Sequence, residues 1–577
     1  MSDAQPDHLT WRHRLVGLLV LAAIGLIIFR LYELQVVHHE DYLAQAIQTR
    51  YGNTEVPASR GVITDATGYP LAASVDTWDI YIDRFLWRDR DRASLAAIEL
   101  GAFLELDANQ LMADGTSAQN GDIMVRRDIG YEEGLALLEL DLWGVRTLPS
   151  AVRTYPEGDL ARQIVGHVGI DGVGLWGVEA DFDHLLRGQP GSFSRELDLL
   201  GRPIAFSGNI DDRAIGGGEV QLTIDRFIQA IIEEELDRAL EEFDARSGSI
   251  LVMDPRTGAI LGMASRPSTG NTAEALNNPA LPELVRNRPM TDLYEPGSVF
   301  KTLTTAAAID LGLVTPESTY IDEGSVVVGP NVINNWDFTA YGEVTVRTYL
   351  QKSLNTGAVW LSDEIGAEDF YQYLDAFGIG EPTHVGLSGE AEGLVRHPSD
   401  PEWYPVDLAT NSYGQGLAAS PLQVLTAVNV FANDGWLMRP YIVSRVVSED
   451  DVRTFDPVSV RQVVSSSTAS TMAALMHDVV DGVQWHLAQV DGYSVAGKTG
   501  TTIVSIPTGY DFDTTIASFA GFLPYENPQI SVLVKIDQPE GALNLGGQVA
   551  APVFSRVASA IMEYRRVPPH DALVSAP

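Results

Sequence analysis

The stretch Glu295-Pro296-Gly297-Ser298-Val299-Phe300-Lys301 sets a hydroxyl and an amine three residues apart at the mouth of a helix. Proline and glycine are costly inside a helix but mark its start, and the apolar, Ala- and Thr-rich run from Val299 to Leu313 supplies the helix. Residues three apart share a helix face, so the Lys301 amine can reach back to the Ser298 hydroxyl. The free N–H groups and positive potential of the helix N-terminus would receive a developing oxyanion. A serine hydroxyl is a poor nucleophile until a base takes its proton. Lysine can be that base only when neutral, which requires burial and a second cation nearby. The set is what acyl transfer needs. Taken alone, Ser298 would read as a helix cap and Lys301 as a solvated first-turn lysine.

The chain has only four lysines, Lys301, Lys352, Lys498 and Lys535, so about 0.3 Ser-x-x-Lys motifs are expected by chance. A second lysine lies in Lys498-Thr499-Gly500-Thr501, and Ser353-Leu354-Asn355 falls between the two. This order, Ser-x-x-Lys, Ser-x-Asn, Lys-Thr-Gly, resembles the penicillin-binding proteins and β-lactamases. Ser59-Arg60-Gly61-Val62-Ile63-Thr64-Asp65, Arg153-Thr154-Tyr155-Pro156, Gly174-Leu175-Trp176-Gly177-Val178-Glu179 and Leu222-Thr223-Ile224-Asp225 extend the resemblance over nearly the whole chain, to class B penicillin-binding proteins. Met290 to Ser298 and Ala517 to Phe522 look more like the division-type members than the elongation type. Two departures stand out: Ala66 where the family usually has Arg, and Ser268-Thr269-Gly270-Asn271 after Pro267 where it often has Asp-Pro-Asn.

The resemblance implies roles for these residues. Ser298 attacks the penultimate D-Ala carbonyl of a peptidoglycan stem peptide, and Lys301 is its base. Lys498 is the cation that depresses Lys301, Ser353 relays a proton to the leaving amine, and Asn355 holds the substrate amide or Lys301. The backbone N–H groups of Ser298 and Thr501 form the oxyanion hole. Thr499 and Thr501, joined through Gly500, bind the terminal carboxylate. β-Lactams acylate Ser298. The eleven histidines show no Ser-His-Asp order and read as structural. No metal-ligand spacing occurs, and no metal or organic cofactor is expected. Lys352, next to Ser353, reads as solvated.

At 577 residues the chain needs two or three domains. A formal charge of −40 argues against nucleic acid or a broad anionic membrane surface as partner, and the absence of cysteine excludes disulfides and thiolate metal sites. After a short polar tail, Trp11-Arg12-His13-Arg14 precedes the uncharged run Leu15 to Phe29. Fifteen helical residues reach about 22 Å, short of the roughly 30 Å hydrocarbon core, and flanking Trp, Tyr and Arg30 would complete the crossing. Basic residues before the run and Glu33, Glu40 and Asp41 after it place the N-terminus in the cytoplasm and the rest outside. A cleaved signal peptide is the rival, but the first small-x-small site, Ala44-Gln45-Ala46, comes too late.

The expected divisions are a cytoplasmic tail (1–14), a transmembrane anchor (15–37), a non-catalytic pedestal (38–218), a transpeptidase domain (219–565) and a flexible tail (566–577). The cut is placed at Gly216-Gly217-Gly218, three glycines being costly to order. In the pedestal, Glu179 reads as an ion-pair partner and Arg60-Gly61 as a tight turn with a positioned charge. Beyond Gly218, a strand, an amphipathic helix from Arg226 to Phe243 and a hairpin around Pro255-Arg256-Thr257-Gly258 open an α+β fold, with an antiparallel sheet, flanking helices and a helical subdomain. The block from Tyr320 to Asn429 is expected to be largely helical, with a helix capped by Ser420-Pro421. Three late strands and a helix from Val553 to Tyr564 close it. The same site could serve an elongation-type transpeptidase, a carboxypeptidase or β-lactamase using water, or a non-catalytic β-lactam sensor or division scaffold. For the main reading the expected partners are stem peptides, β-lactams as covalent inhibitors, and a polytopic glycan polymerase with other divisome membrane proteins.

Overall fold

The computed structural model describes residues 8–42, 51–117, 121–196, 210–269, 276, 278–482, 487–506, 509–541 and 544–569. Ala44-Gln45-Ala46, Gly270-Asn271 and residues 570–577 of the expected tail lie outside the described residues. The chain forms two compact units: Met1–Ser59 with Asp76–Ala151 and Gly188–Gly216, and Arg60–Val75 with Val152–Arg187 and Gly217–Pro577.

In the first unit, helix α1 (His8–Tyr32) runs on into a π-helical turn, Glu33–Val37. The apolar helical stretch Trp11–Val37 is 27 residues long, about 40 Å. The shortfall expected from Leu15 to Phe29 therefore disappears, and this helix is long and apolar enough to cross a membrane. Further on, α2 (Arg90–Leu104) is capped by Asp89, whose carboxylate accepts the Arg92 N–H, and buries Ala93, Ala97, Leu100 and Leu104 in a small core with Ile80, Ile82 and Trp87.

The second unit begins differently from the single cut expected at Gly218. Ile63, Leu71, Ala72, Ile164, Val178 and Leu186 share one hydrophobic core with Val220 and Leu222, so two stretches assigned to the pedestal pack with transpeptidase residues. Nor is the glycine run slack. A Cβ on Gly217 would stand 1.8 Å from Leu186 O, and one on Gly61 would stand 1.7 Å from Gly218 O. Glycine is needed there for close backbone approach rather than for freedom.

Helix α3 (Arg226–Glu242), capped by Asp225, leads into the strands β1 (Ser247–Met253) and β2 (Ile260–Arg266), the expected hairpin. The nucleophile stretch then forms a 3-10 turn, Gly297–Phe300, and helix α4 (Lys301–Asp310), shorter than the run Val299 to Leu313 had suggested. Next come two small antiparallel pairs, the hairpin Ser325–Val328 with Asn331–Asn334 and, outside it in the chain, Thr319–Asp322 with Gly342–Thr345. The block expected to be helical from Tyr320 thus begins with strands. Helices α5 (Val346–Lys352), α6 (Asn355–Ile365) and α7 (Pro421–Asn429) follow, and Ser420 caps α7 in a reciprocal capping box with Gln423. Helix α8 (Ser466–Asp481), strands β3 (Ala496–Ile506), β4 (Gly509–Leu523) and β5 (Ile530–Asp537), and helix α9 (Ala550–Tyr564) complete the unit.

The five strands form one antiparallel sheet in the order β2-β1-β5-β4-β3. Every residue of β1 and of β5 is buried, as expected for strands covered on both faces. Strand alternation divides them. Ile250, Val252, Val532 and Val534 join the core of α3 and α9, while Leu251, Met253 and Leu533 join the core that contains α7 and α4. The sheet and α4 are thereby fixed against one another, with β3 at the sheet edge.

One buried ion cluster ties 60–75 to 152–187. Glu179 is fully buried; Arg60 Nε donates to its Oε2 at 2.6 Å and Arg153 Nε to its Oε1 at 2.7 Å, while Arg60 also reaches Asp183 at 2.7 Å. The expected ion-pair role of Glu179 is what the structure has. Glu179→Gln should lower the unfolding free energy by about 3–5 kcal/mol, because two guanidiniums would stay buried without their carboxylate. Loss of the exposed Arg187, which pairs with Asp183, should cost less than about 1 kcal/mol. Urea denaturation of the detergent-solubilised chain, followed by tryptophan fluorescence, distinguishes the two.

Candidate active site

Three of the four lysines are buried, which is rare for this residue. Lys535 has Asp537 as its ion-pair partner. Lys301 and Lys498, 0% and 1% exposed, have no carboxylate partner among the described residues. An amine taken from water without a counter-ion gives up its proton more readily. Burial, and then the neighbouring Lys498, holds Lys301 well below the usual lysine range. Burial lowers Lys498 to about 7.

The Lys301 Nζ atom donates to Ser353 O at 2.6 Å and to Asn355 Oδ1 at 2.8 Å, and lies 3.3 Å from Ser353 Oγ. The first two partners can only accept. In the neutral form that burial favours, an amine has two hydrogens, which these acceptors would take, leaving its lone pair for a hydroxyl. The sequence suggested that this amine would reach back to Ser298; its hydrogen bonds go instead to Ser353 and Asn355. The motifs Ser-x-x-Lys and Ser-x-Asn are thus joined through Lys301.

Ser353 ends α5 in the left-handed region, φ 56°. That conformation is strained for serine and is the kind held at functional sites by surrounding structure. The surrounding structure here is a buried polar network around Asp322. Asp322 accepts from Asn335 Nδ2 (3.0 Å), Thr356 Oγ1 (2.7 Å) and the Tyr341 N–H (2.8 Å), and Asn335 Oδ1 accepts the Asn355 N–H at 3.0 Å. Asn355 Nδ2 donates to Asn334 O at 2.8 Å, which orients its amide oxygen toward Lys301. Sequence reasoning missed Asp322 and Asn335, which carry no spacing signal because they support the Ser353–Asn355 turn from distant segments.

Ser298 sits half-buried on the 3-10 turn, and β3 passes directly against that turn. Thr502 Oγ1 donates to Glu295 O at 2.7 Å, and Gly297 N donates to Gly414 O at 2.9 Å on the other side. A Cβ on Gly500 would meet Ser518 Oγ at 2.4 Å and Pro296 O at 2.6 Å, so the glycine of Lys-Thr-Gly is what lets the strand close on the nucleophile turn. Gly297, at φ 59°, has Thr501 O and Thr502 Oγ1 where a side chain would stand. Ser298 and the Lys498–Thr501 strand are therefore neighbours.

Lys498 Nζ donates to Thr499 Oγ1 at 3.2 Å, and Gly546 N donates to Thr501 Oγ1 at 2.9 Å. Each hydroxyl accepts one hydrogen bond and keeps its own hydrogen to donate, as a carboxylate ligand requires. Gly546 was also missed from sequence. A Cβ there would stand 2.2 Å from Gly500 O, and the doublet Gly546-Gly547 was its one visible sign. Lys352 is exposed, as expected, with its ammonium 4.5 Å from the centre of the Tyr341 ring. Among the described residues no group of three or more His, Cys, Asp or Glu side chains is placed to hold a metal ion.

A serine at a helix mouth, a buried amine three residues on that is pushed toward its neutral form, a second buried amine and a strand carrying two hydroxyls are the parts of a serine acyltransferase. The description "Penicillin binding protein transpeptidase domain" matches residues 248–559, and "Penicillin-binding Protein dimerisation domain" matches residues 55–222. The chain belongs to the penicillin-binding proteins, in the class B arrangement of a dimerisation domain followed by a transpeptidase domain. It is 30% identical to the peptidoglycan D,D-transpeptidase FtsI of Escherichia coli K12 over all of this chain and 95% of that protein. It is also 30% identical to the stage V sporulation protein D of Bacillus subtilis, over 96% of this chain and 85% of the relative. The crystal structure of penicillin binding protein 3 from Mycobacterium tuberculosis complexed with aztreonam superposes with a TM-score of 0.68 at 26% identity, covering 90% of this chain and 99% of that one.

The depressed Lys498 makes a prediction about stability. Between about 7 and the ordinary lysine value of 10.5 the unfolded chain holds a proton that the folded one lacks, so stability rises with pH across that window. Lys498→Met should be more stable than the parent below pH 7, and the gap should close as pH rises through the window. The same variant should lose acylation by at least about 100-fold. Thermal melts across pH and labelling with a fluorescent penicillin measure the two effects.

Proposed function

We propose that this protein cross-links peptidoglycan stem peptides through a Ser298 acyl-enzyme, at the division septum. What carries the reading is the pair of buried amines, Lys301 and Lys498, with no carboxylate partner among the described residues, in the same unit as a serine at a helix mouth. Ser298 Oγ attacks the penultimate D-Ala carbonyl and its proton passes to the lone pair of Lys301, whose hydrogens are held by Ser353 O and Asn355 Oδ1. The N–H groups of Ser298 and Thr501 receive the oxyanion. Thr499 and Thr501 bind the terminal carboxylate, Gly500 keeps the strand close enough for them to do so, and Lys498 is the cation that depresses Lys301. Ser353 then relays the proton to the leaving D-Ala. The amine of a second stem peptide attacks the ester, returning Ser298 and completing the cross-link. β-Lactams acylate the same hydroxyl.

The septal role is supported by the likeness to FtsI over the full chain. The basic Trp11-Arg12-His13-Arg14 before the apolar helix, and Glu33, Glu40 and Asp41 after it, support a single-pass inner-membrane protein with a cytoplasmic N-terminus and the catalytic unit outside. Its partners in this reading are a polytopic glycan polymerase and other divisome membrane proteins. A labelled penicillin should give long-lived labelling of the purified chain, lost in Ser298→Ala with an unchanged melting temperature. Rapid turnover of the label would indicate a β-lactamase, and no labelling a scaffold. Depletion in a rod-shaped host should give filaments; rounded cells would point to elongation instead.

A further inference from the structure

Lys352, which the acyl transfer leaves unused, accepts a hydrogen bond at its carbonyl from the exposed Trp336, and a second exposed ring, Phe338, lies two residues further along the same turn. Trp336 is 60% exposed and Phe338 78% exposed, both in the turn between the strands Asn331–Asn334 and Gly342–Thr345. The turn is rigidly built. Its first residue, Asn335, is buried, donates across the turn to Thr339 O at 3.1 Å, and accepts the Asn355 N–H. Trp336 Nε1 donates to Lys352 O at 3.0 Å, and the Tyr341 hydroxyl donates to Asp337 at 2.6 Å. The turn therefore grips Ser353-Leu354-Asn355 from both sides, at Lys352 and at Asn355. Phe338 is held at φ 57°, a left-handed conformation strained for a bulky residue. An exposed large ring on a strained backbone is a feature expected of a surface kept for contact.

We propose that Trp336, Phe338 and Lys352 form a platform that binds the saccharide of the glycan strand bearing the stem peptide. The inference rests on the transpeptidase reading and concerns the part of the substrate that Ser298, Lys301 and the Thr499–Thr501 strand do not touch. Pyranose rings present flat C–H faces that pack on aromatic rings, and hydroxyls that bond amides and ammonium groups. Such groups are exposed on the same stretch: Asn331 and Asn334 on the strand that leads into the turn, and Lys352, whose carbonyl binds Trp336. The occupant follows from the attachment. A surface fixed at both ends to the catalytic turn holds its ligand in register with the acylation site, which a substrate needs and a docked protein or a membrane does not.

Phe338→Gly removes the ring and suits the left-handed backbone, so the turn persists. Trp336→Ala removes the larger ring together with its bond to Lys352 O. Three rates are compared with the full chain in detergent: acylation by labelled penicillin, turnover of a sugar-free D-Ala-D-Ala pentapeptide, and cross-linking of glycan strands carrying that pentapeptide. For Phe338→Gly the first two should stay within about twofold of the parent, while kcat/KM on strands should fall about tenfold, through KM. Trp336→Ala should lose at least as much on strands. Equal losses on sugar-free and strand substrates would make the turn a mere support for Ser353. No loss on purified strands, with a division defect in cells, would make it a protein-docking surface. Either result overturns the platform. Failure of the parent itself to label at Ser298 would be a different result, removing the transpeptidase reading on which the platform rests.

Discussion

Two ammonium groups cannot share a buried site without a carboxylate and both remain charged, and the active site of this protein is organised around that constraint. Lys301 and Lys498 are enclosed, have no counter-ion among the described residues, and are both pushed toward the neutral form. Lys301 carries the larger burden because it feels Lys498 as well as burial. The fold thus biases an amine toward its neutral form by burial and by the neighbouring Lys498. Such a site is costly to bury, and the cost is borne by the surrounding packing, as is common where activity and stability compete.

Holding that amine in position takes backbone more than side chains. The acceptors that fix Lys301 are a carbonyl and an amide oxygen, each placed by a residue in an unusual setting: Ser353 in the left-handed region and Asn355 suspended from Asn335. The Lys-Thr-Gly strand comes within reach of Ser298 because Gly297, Gly500 and Gly546 remove side chains where three backbone segments meet. Glycine in these places buys proximity and not flexibility. The same holds at Gly61 and Gly217, well away from the chemistry.

The sheet explains why this arrangement is rigid. Its central strands are covered on both faces, and their alternating side chains belong to two separate cores. Movement of α4 or β3 would disturb one core or the other, so the nucleophile turn and the strand beside it are held by packing that neither could supply alone. The buried Glu179 cluster plays a related part among 60–75 and 152–187, where charge pairing rather than apolar packing fixes the geometry.

Several features were legible in the residues alone. Ser298, Lys301, Ser353 and Lys498 stood out because a lysine-poor chain repeats three catalytic spacings in order. The hairpin at Pro255–Gly258, the capping box at Ser420 and the apolar helix near the N-terminus followed from local rules of turn chemistry, capping and hydropathy. What local rules could not supply were contacts between distant segments. The partners of Lys301, the burial of both amines, the amide that Gly546 gives to Thr501, the Asp322–Asn335 support and the close backbone approach at Gly217 all join residues far apart in the chain. Spacing reports which groups share a helix face or a turn; burial, and with it the protonation state on which this chemistry depends, is set only when remote segments close around them.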